Sequence, residues 1–362
     1  MIIDVHCHVG FSARPVDVTV PRFSFEETGA PSGTACDSYF SPRLLSRPQW
    51  WFLRRWLGGG RRLAPGPELD AAIERFNEPH FSQAGGVDRL VLLAFDEYHN
   101  VSGQAVGPAN RGQRCGSDLY VSNSLVRAMC ATQPDRFLLG GSIHPYRVQD
   151  GRDACSMLEE LALAGAVLIK WLPISQNIRI EDPRTVAFLR AAARLGVAVL
   201  IHYGGELTLS RPHLELASPA PLLEVLRQLK ADGAMPTVIV AHAATPSFIV
   251  QNPAGHHLLV EAMLGEFAGD PLYADLSGLA AFGRTLWLRR LARRRELHRK
   301  LVWGSDYPIP VMTWAFRSAL NSPAWQHVQA AESWIERDLR LKRALGFSAC
   351  VFTQAAEVLR VT

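Results

Sequence analysis

Short apolar runs rich in β-branched residues recur along the chain, and segments with helical spacing lie between them. Runs of this kind, too short for a helix and bounded by polar residues or glycine, predict strands. Eight are predicted, at Ile2–Val9, Arg89–Phe95, Phe137–Ile143, Val167–Trp171, Ala198–His202, Thr237–His242, Leu272–Ser277 and Leu301–Asp306. Several, such as RLVLLAF, VAVLIHY and TVIVAH, are apolar almost without a break. That is the pattern of parallel strands covered on both faces. Between them the spacing predicts helices over Ala154–Ala164, Pro183–Leu195, Pro219–Ala231, His256–Phe267 and Leu286–Lys300. Gly165 and Gly196 stand where two of these must stop. Eight strands alternating with helices predict an α/β fold, a (β/α)8 TIM barrel, with one domain over residues 1–362. Two stretches interrupt the alternation. Residues 10–67 are rich in Pro, Gly, Arg and aromatics, and residues 97–118 are polar. They are insertions after strands 1 and 2, at the barrel end where active-site loops lie, and are expected to act as loops or lids. Within the first, WWFLRRWLGGGRRL (Trp50 to Leu63) mixes aromatics with arginine. A packed lid or a subunit contact is expected of it, with a place on a membrane surface as the alternative.

Composition narrows the class. A chain of 362 residues, 48% hydrophobic, can bury a large core. Six cysteines, at 7, 36, 115, 130, 155 and 350, form no CxxC pair, so neither a disulfide framework nor a cysteine metal knuckle is expected. No leader-like segment and no long uncharged apolar stretch is evident, so a cytoplasmic protein without a membrane span is expected. The net charge is +4, but eight Lys/Arg against Glu296 alone fall between Arg284 and Lys300. Removing that segment's net +7 leaves −3, so the chain as a whole is not a nucleic-acid-type basic protein. The segment reads as the solvated face of a barrel helix with Leu286, Leu288, Leu291 and Leu297 beneath; contact with RNA or anionic lipid is the disfavoured alternative.

Candidate chemistry concentrates at predicted strand ends. In Asp4-Val5-His6-Cys7-His8, alternation puts His6 and His8 on one face, toward the barrel mouth, and Cys7 on the other. Two like-facing imidazoles can hold one divalent ion, or can be ordinary hydrogen-bonded residues. His144, His202 and His242 end three further strands, and Asp306 closes LVWGSDYP after the eighth. Unpaired His and Asp are costly to bury at the ends of apolar strands, and convergence of several at one barrel end points to a metal. A polar network without metal is the competing account. His144-Pro145-Tyr146-Arg147 offers a guanidinium for a substrate carboxylate, or plain loop packing. Glu206, after Gly204-Gly205, could orient His202 or a substrate amine, or be surface charge. Asp275 and Ser277 line the pocket or cap the next segment, and Asp4 is a candidate support for a ligating histidine. His256-His257 lies in a helix where neighbours face apart, which disfavours a joint metal role. His80, His99, His213, His298 and His327 receive no role.

The ordered set (N-terminal HxH, His202, His242 and Asp306) resembles the amidohydrolase superfamily. Its GSDYP and YADLSG sequences are similar to the amidohydrolase-2 branch, which includes aminocarboxymuconate-semialdehyde decarboxylase and pyrone-dicarboxylate lactonase. The resemblance runs from Asp4 to about Pro308. It implies that His6, His8, His202 and Asp306 ligate a divalent metal, with zinc expected. It further implies that His242 is a second metal's ligand or polarises substrate, and that Asp306 takes the proton from an activated water. Lys170 sits in VLIKWLP at the fourth strand's end, where binuclear members carry a carboxylated lysine bridging two ions. The branch's KLHP-like sequence is KWLP here, without the histidine. Lys170 is thus either a bridging carbamate, with two ions, or a plain lysine, with one.

Metal-dependent hydrolysis of an amide, lactone or ester of a small molecule is the expected function, with Asp306 and His242 catalytic and Arg147, Glu206 and His144 binding substrate. The alternative is metal-dependent, non-oxidative decarboxylation or hydration of an unsaturated or aromatic carboxylic acid. A non-enzymatic scaffold is disfavoured, because a scaffold has no need of histidines and aspartate at strand ends. No nucleic-acid partner is expected, and the surface aromatics suit a homodimer.

Overall fold

In the computed structural model, residues 1–26, 36–248 and 250–362 are described; residues 27–35 of the first insertion lie outside them. Eight parallel strands form one sheet in chain order: β1 (Ile3–His8), β2 (Arg89–Leu93), β3 (Phe137–Gly141), β4 (Leu168–Trp171), β5 (Ala198–His202), β6 (Val238–Ala241), β7 (Leu272–Asp275) and β8 (Leu301–Val302). The chain beyond β8 returns to β1, where Asp306 N donates to His6 O (2.9 Å) and His8 N to Tyr307 O (2.8 Å). The sheet therefore curls into a (β/α)8 barrel. Helices α1 (Pro48–Leu57), α2 (Pro67–Ser82), α3 (Asn123–Thr132), α4 (Ala154–Leu163), α5 (Pro183–Leu195), α6 (Ala220–Ala231), α7 (Ala254–Leu264), α8 (Thr285–Arg293) and α9 (Trp334–Ala344) accompany it. Local chemistry sets their ends. Asp153 and Asp182 cap α4 and α5 through their carboxylates, and α5 stops at Gly196 in the left-handed region, φ 71°.

Strand alternation sorts the apolar side chains into two layers. Val91, Leu138, Leu168, Leu200, Ile239 and Val302 fill the barrel interior, and Ala355, Val358 and Leu359 of the C-terminal segment join that cluster. Leu92, Leu139, Ile169, Ile201, Val240 and Trp303 face the outer layer. On β1 the alternation breaks. Ile3 and Val5 belong to the inner cluster, yet Cys7 belongs to the outer one, and the register with β2 shifts between Asp4 and Cys7. The cause is Asp4, whose Oδ1 accepts from His6 N (3.1 Å) and Ser305 N (2.9 Å) and so distorts the ladder. The expected outcome, His6 and His8 together and Cys7 opposite, holds, but through a bulge rather than unbroken alternation.

The two insertions form one structure. Ala13–Pro15, Cys36–Phe40 and Leu119–Val121 make an antiparallel three-stranded sheet. Buried Glu26 accepts at the N-terminus of α3 from Asn123 N (2.9 Å) and Ser124 N (2.8 Å). Helix α1 rests Trp50 on Phe40 while Trp51, Phe52 and Trp56 stay exposed, so its outer face is not packed as a lid by the described residues. No helix among them is long and apolar enough to cross a membrane. The helix expected over Leu286–Lys300 divides into α8 and a 3-10 segment, Arg295–Lys300. The break falls at Arg294, which leaves helical backbone (φ −90°, ψ 73°), and at the far end Lys300 Nζ donates to Phe267 O (2.7 Å) and Asp270 O (2.6 Å). Strands β6 and β8 end earlier than their apolar runs: His242 adopts left-handed backbone, φ 54°, directly after β6, and after β8 Trp303 N donates to Val351 O (2.9 Å), outside the sheet.

A buried ion pair steadies β8. Lys342 Nζ donates to Gly304 O (2.9 Å) and to Asp338 Oδ2 (2.5 Å), which also accepts from Trp303 Nε1 (2.9 Å). Both charged groups are fully buried, so deleting one strands the other. Lys342→Ala is expected to lower unfolding free energy by about 3–5 kcal/mol, read from urea denaturation; a loss near zero would show that the pair does not anchor the strand.

Candidate metal centre

The C-terminal end of β1 and the segment after β8 bring three ligand atoms together. His6 Nε2 and His8 Nε2 are 3.1 Å apart, and Asp306 Oδ1 lies 3.4 Å from each. His6, His8 and Asp306 are the one His/Cys/Asp/Glu group of metal-holding geometry among the described residues. Two donors about 2.1 Å from one ion stand ~3.0–3.4 Å apart for ligand angles between square and tetrahedral. All three separations fall in that window. The protonation state also fits. His6 Nδ1 donates to Asp275 Oδ2 at 2.7 Å, which leaves Nε2 unprotonated, and burial holds the ring well below its ordinary pKa. Burial alone would push the Asp306 carboxyl up, but His6, His8 and Lys170 outweigh it and hold it below its usual range. The donor set therefore fits a divalent ion.

Asp275 organises the surroundings. Its Oδ1 accepts from His242 N (2.7 Å), Ser277 N (3.0 Å) and Ser277 Oγ (2.5 Å). His242 Nδ1 donates to Ser277 O at 2.6 Å, so its Nε2 is bare, and it lies 4.0 Å from Asp306 Oδ2. The rings of His6 and His242 stack at 5.3 Å, and His202 meets His242 edge-on at 4.8 Å. Gly278, at φ +62°, leaves room for this cluster: a Cβ there would stand 2.4 Å from Asp306 Oδ2. Lys170, on β4, is buried, with Nζ 2.9 Å from His6 Nε2. Burial pulls its pKa down to about 8 against the pull of Asp275, Asp306 and Glu206. Asp4 supports His6 through its backbone amide, and burial raises its carboxyl to about 7 despite its bonds to Ser305 and His6. Cys7 is buried, and its thiol is pushed well above its ordinary value, so it is no thiolate ligand.

Other expected site residues take different places. His202 Nε2 donates to Gly205 O (3.1 Å), with Glu206 Oε2 3.5 Å away. Glu206 Oε1 is held by the amides of Thr208 and Leu209. His144 is fully buried, Nε2 donating to Gln176 O (2.8 Å) and Nδ1 accepting from Tyr146 N (3.1 Å). Arg147 lies against Asp96, at 3.4 Å, and donates to Phe25 O at 2.8 Å, tying the first insertion to the barrel. His256 Nδ1 donates to Ala243 O, outside the cluster. One residue escaped the sequence analysis. Arg284, counted there with the solvated basic segment, is buried and donates to Gly205 O beside His202. Its place directly after Gly283, in the loop beyond β7, was the available signal.

A family model described as amidohydrolase matches residues 3–337. Similar solved structures include an uncharacterised TIM-barrel protein from Bordetella bronchiseptica, 18% identical over 95% of this chain and 99% of that one, TM-score 0.49. A probable 2-pyrone-4,6-dicarboxylic acid hydrolase from Acinetobacter baumannii is 15% identical over 99% of each chain, TM-score 0.43. A 2,6-dihydroxybenzoate decarboxylase from Rhizobium is 13% identical over 99% of this chain and 98% of that one, TM-score 0.48. Among curated proteins, none matches the chain.

Asp275→Asn is expected to weaken divalent-metal binding by about 10–100-fold, measured by chelator competition, because the amide no longer fixes the tautomer of His6; unchanged affinity would remove Asp275 from that role. A pH dependence follows as well. Burial lowers the pKa of His6, His144, His202 and His242. The unfolded chain therefore binds more protons as pH drops below about 6.5. Asp4, raised to about 7, and Asp338, also raised by burial, act in the opposite sense, against these four and the likewise lowered His80, His99, His256 and His298. The urea midpoint of metal-free protein should fall as pH is lowered from about 6.5; a flat profile from there down to pH 5 would contradict the assignment of neutral buried rings.

Proposed function

The chain belongs to the amidohydrolase family, and we propose that it is a metal-dependent hydrolase, cleaving a C–N or C–O bond of a small amide, lactone or ester with activated water. The observation that carries this is the triangle of His6 Nε2, His8 Nε2 and Asp306 Oδ1 with its supporting bond to Asp275. When bound, a divalent ion, with zinc as the expected one, supplies Lewis acidity that polarises a substrate oxygen and makes water a nucleophile at neutral pH.

The chain's own groups do the rest. Asp306, kept anionic, accepts the proton of the attacking water as its oxygen bonds to the acyl carbon, and returns it to the departing nitrogen or oxygen. His242 presents a bare Nε2 toward Asp306 Oδ2, which suits accepting a proton or serving as a ligand rather than donating to a carbonyl. His202 serves as a fourth ligand only when its Nε2–H leaves the Gly205 carbonyl; Glu206, pinned by two backbone amides, orients that ring. Lys170 is read as an unmodified amine beside a single ion, because the described residues give one three-ligand group rather than two.

The expected metal content is one ion per chain, with Lys170 of unmodified mass; two ions and a carboxylated lysine would overturn the single-ion form. Asp306→Asn is expected to lower turnover by ~10²–10⁴-fold with the fold retained by circular dichroism. Incubation of metal-loaded enzyme with panels of lactones, amides, esters and carboxylic acids in ¹⁸O-water should label the product acid. Release of CO₂ without label would replace hydrolysis by decarboxylation.

A further inference from the structure

Among the described residues, the exposed phenylalanines and tryptophans are Trp51, Phe52, Trp56, Phe282 and Trp314. Each belongs to a segment that follows a barrel strand, on the side of the mouth. Three of them sit on α1. Arg47, at the start of that helix, donates to Thr208 O (2.6 Å) in the loop after β5, and Trp56 meets Phe76 of α2 edge-on at 5.4 Å. Helix α1 therefore bridges from the loop after β5 to α2, above the strand ends.

Its two faces differ. At about 3.6 residues per turn, Trp51 and Arg55 form one row and Phe52 and Trp56 the next, and all four are exposed. Phe52 is 64% and Trp56 60% exposed. Trp50 and Leu57, on the other side, pack onto the core. No residue of α1 is buried, which is unusual for a helix that carries three tryptophans and a phenylalanine. The charge around it has one sign. Between Ser38 and Pro67 there are six arginines and no acid. Asp118 holds Arg43 and Arg47, Glu68 holds Arg61, and Leu63 O holds Arg54. Arg55 and Arg62 are exposed and have no ion-pair partner among the described residues.

A preformed helix that presents aromatic rings and guanidiniums together, with no carboxylate among them, matches an anionic bilayer. Rings enter the headgroup region and guanidiniums meet lipid phosphates. A second copy of the chain matches poorly, because a two-fold contact sets each patch against itself and brings arginine to arginine. A nucleic-acid strand follows a basic groove, whereas this face is the convex side of a helix. We propose that the outer face of α1 docks on an anionic phospholipid bilayer, with Trp51, Phe52 and Trp56 in the interface and Arg55 and Arg62 on the lipid phosphates. Docking in this way turns the barrel mouth toward the membrane, and it is independent of what reacts at the metal centre.

Flotation of the whole chain with phosphatidylcholine vesicles, with and without phosphatidylglycerol, tests this. Binding to the phosphatidylglycerol-containing vesicles should be at least about tenfold stronger and should weaken as salt rises. Trp51→Ser together with Phe52→Ser should lower it at least about tenfold, with circular dichroism and metal content unchanged. Arg55→Gln together with Arg62→Gln should remove the preference for the anionic lipid. Failure of the wild type to float with anionic vesicles, or undiminished flotation of the Trp51→Ser and Phe52→Ser protein, would overturn the proposal. A protein that ignores vesicles but forms a dimer, or binds single-stranded RNA, through Trp51 and Phe52 would assign the face to that partner instead and equally overturn it.

Discussion

The centre depends on the carboxylate of Asp275. One oxygen takes the Nδ1 proton of His6, and the other gathers the amide of His242 and both donors of Ser277. Fixing that tautomer turns the Nε2 lone pair of His6 toward His8 and Asp306. The same carboxylate holds the backbone of His242 in a left-handed turn, which an unaided histidine would rarely adopt. Remove this acceptor and both rings lose their orientation, however well the barrel folds.

The surrounding backbone is strained where these side chains gather. His242, Ala243, Ala244 and Asp306 all have positive φ without being glycine, and such residues persist only where the surroundings over-determine them. The barrel supplies that determination from behind. Lys342, Asp338 and Trp303 anchor the chain just before Asp306, and Asp4 grips both β1 and Ser305. A rigid layer of outward-facing apolar residues thus carries a mouth whose polar groups are held by one another.

Arg147 and His144 illustrate how a strand-end residue can be structural. Both follow β3 and are rich in donors, yet Asp96, Phe25 O, Gln176 O and Tyr146 N engage them. Their work is to join the first insertion and the loop after β2 to the barrel, beside the sheet that the two insertions share. Arg284 illustrates the reverse, a residue in a basic surface segment whose side chain faces the mouth because Gly283 permits a close loop approach.

Periodicity alone determined the eight strands, their parallel pairing and the barrel. Apolar runs of strand length alternating with helical spacing have few other solutions, and the ends of those runs named His6, His8, His202, His242, Lys170 and Asp306. The bulge in β1 was not legible, because it comes from Asp4 bonding to Ser305, 301 positions away. Nor were the early ends of β6 and β8, set by a left-handed turn at His242 and by the bond from Trp303 N to Val351 O, which apolar runs do not encode. Which charged residues face the mouth and which fasten loops was likewise decided only by the tertiary structure. Arg147 and Arg284 are the same side chain in one dimension; they differ in what each meets, Asp96 for the one and Gly205 O for the other, and that depends on contacts between segments far apart in the chain.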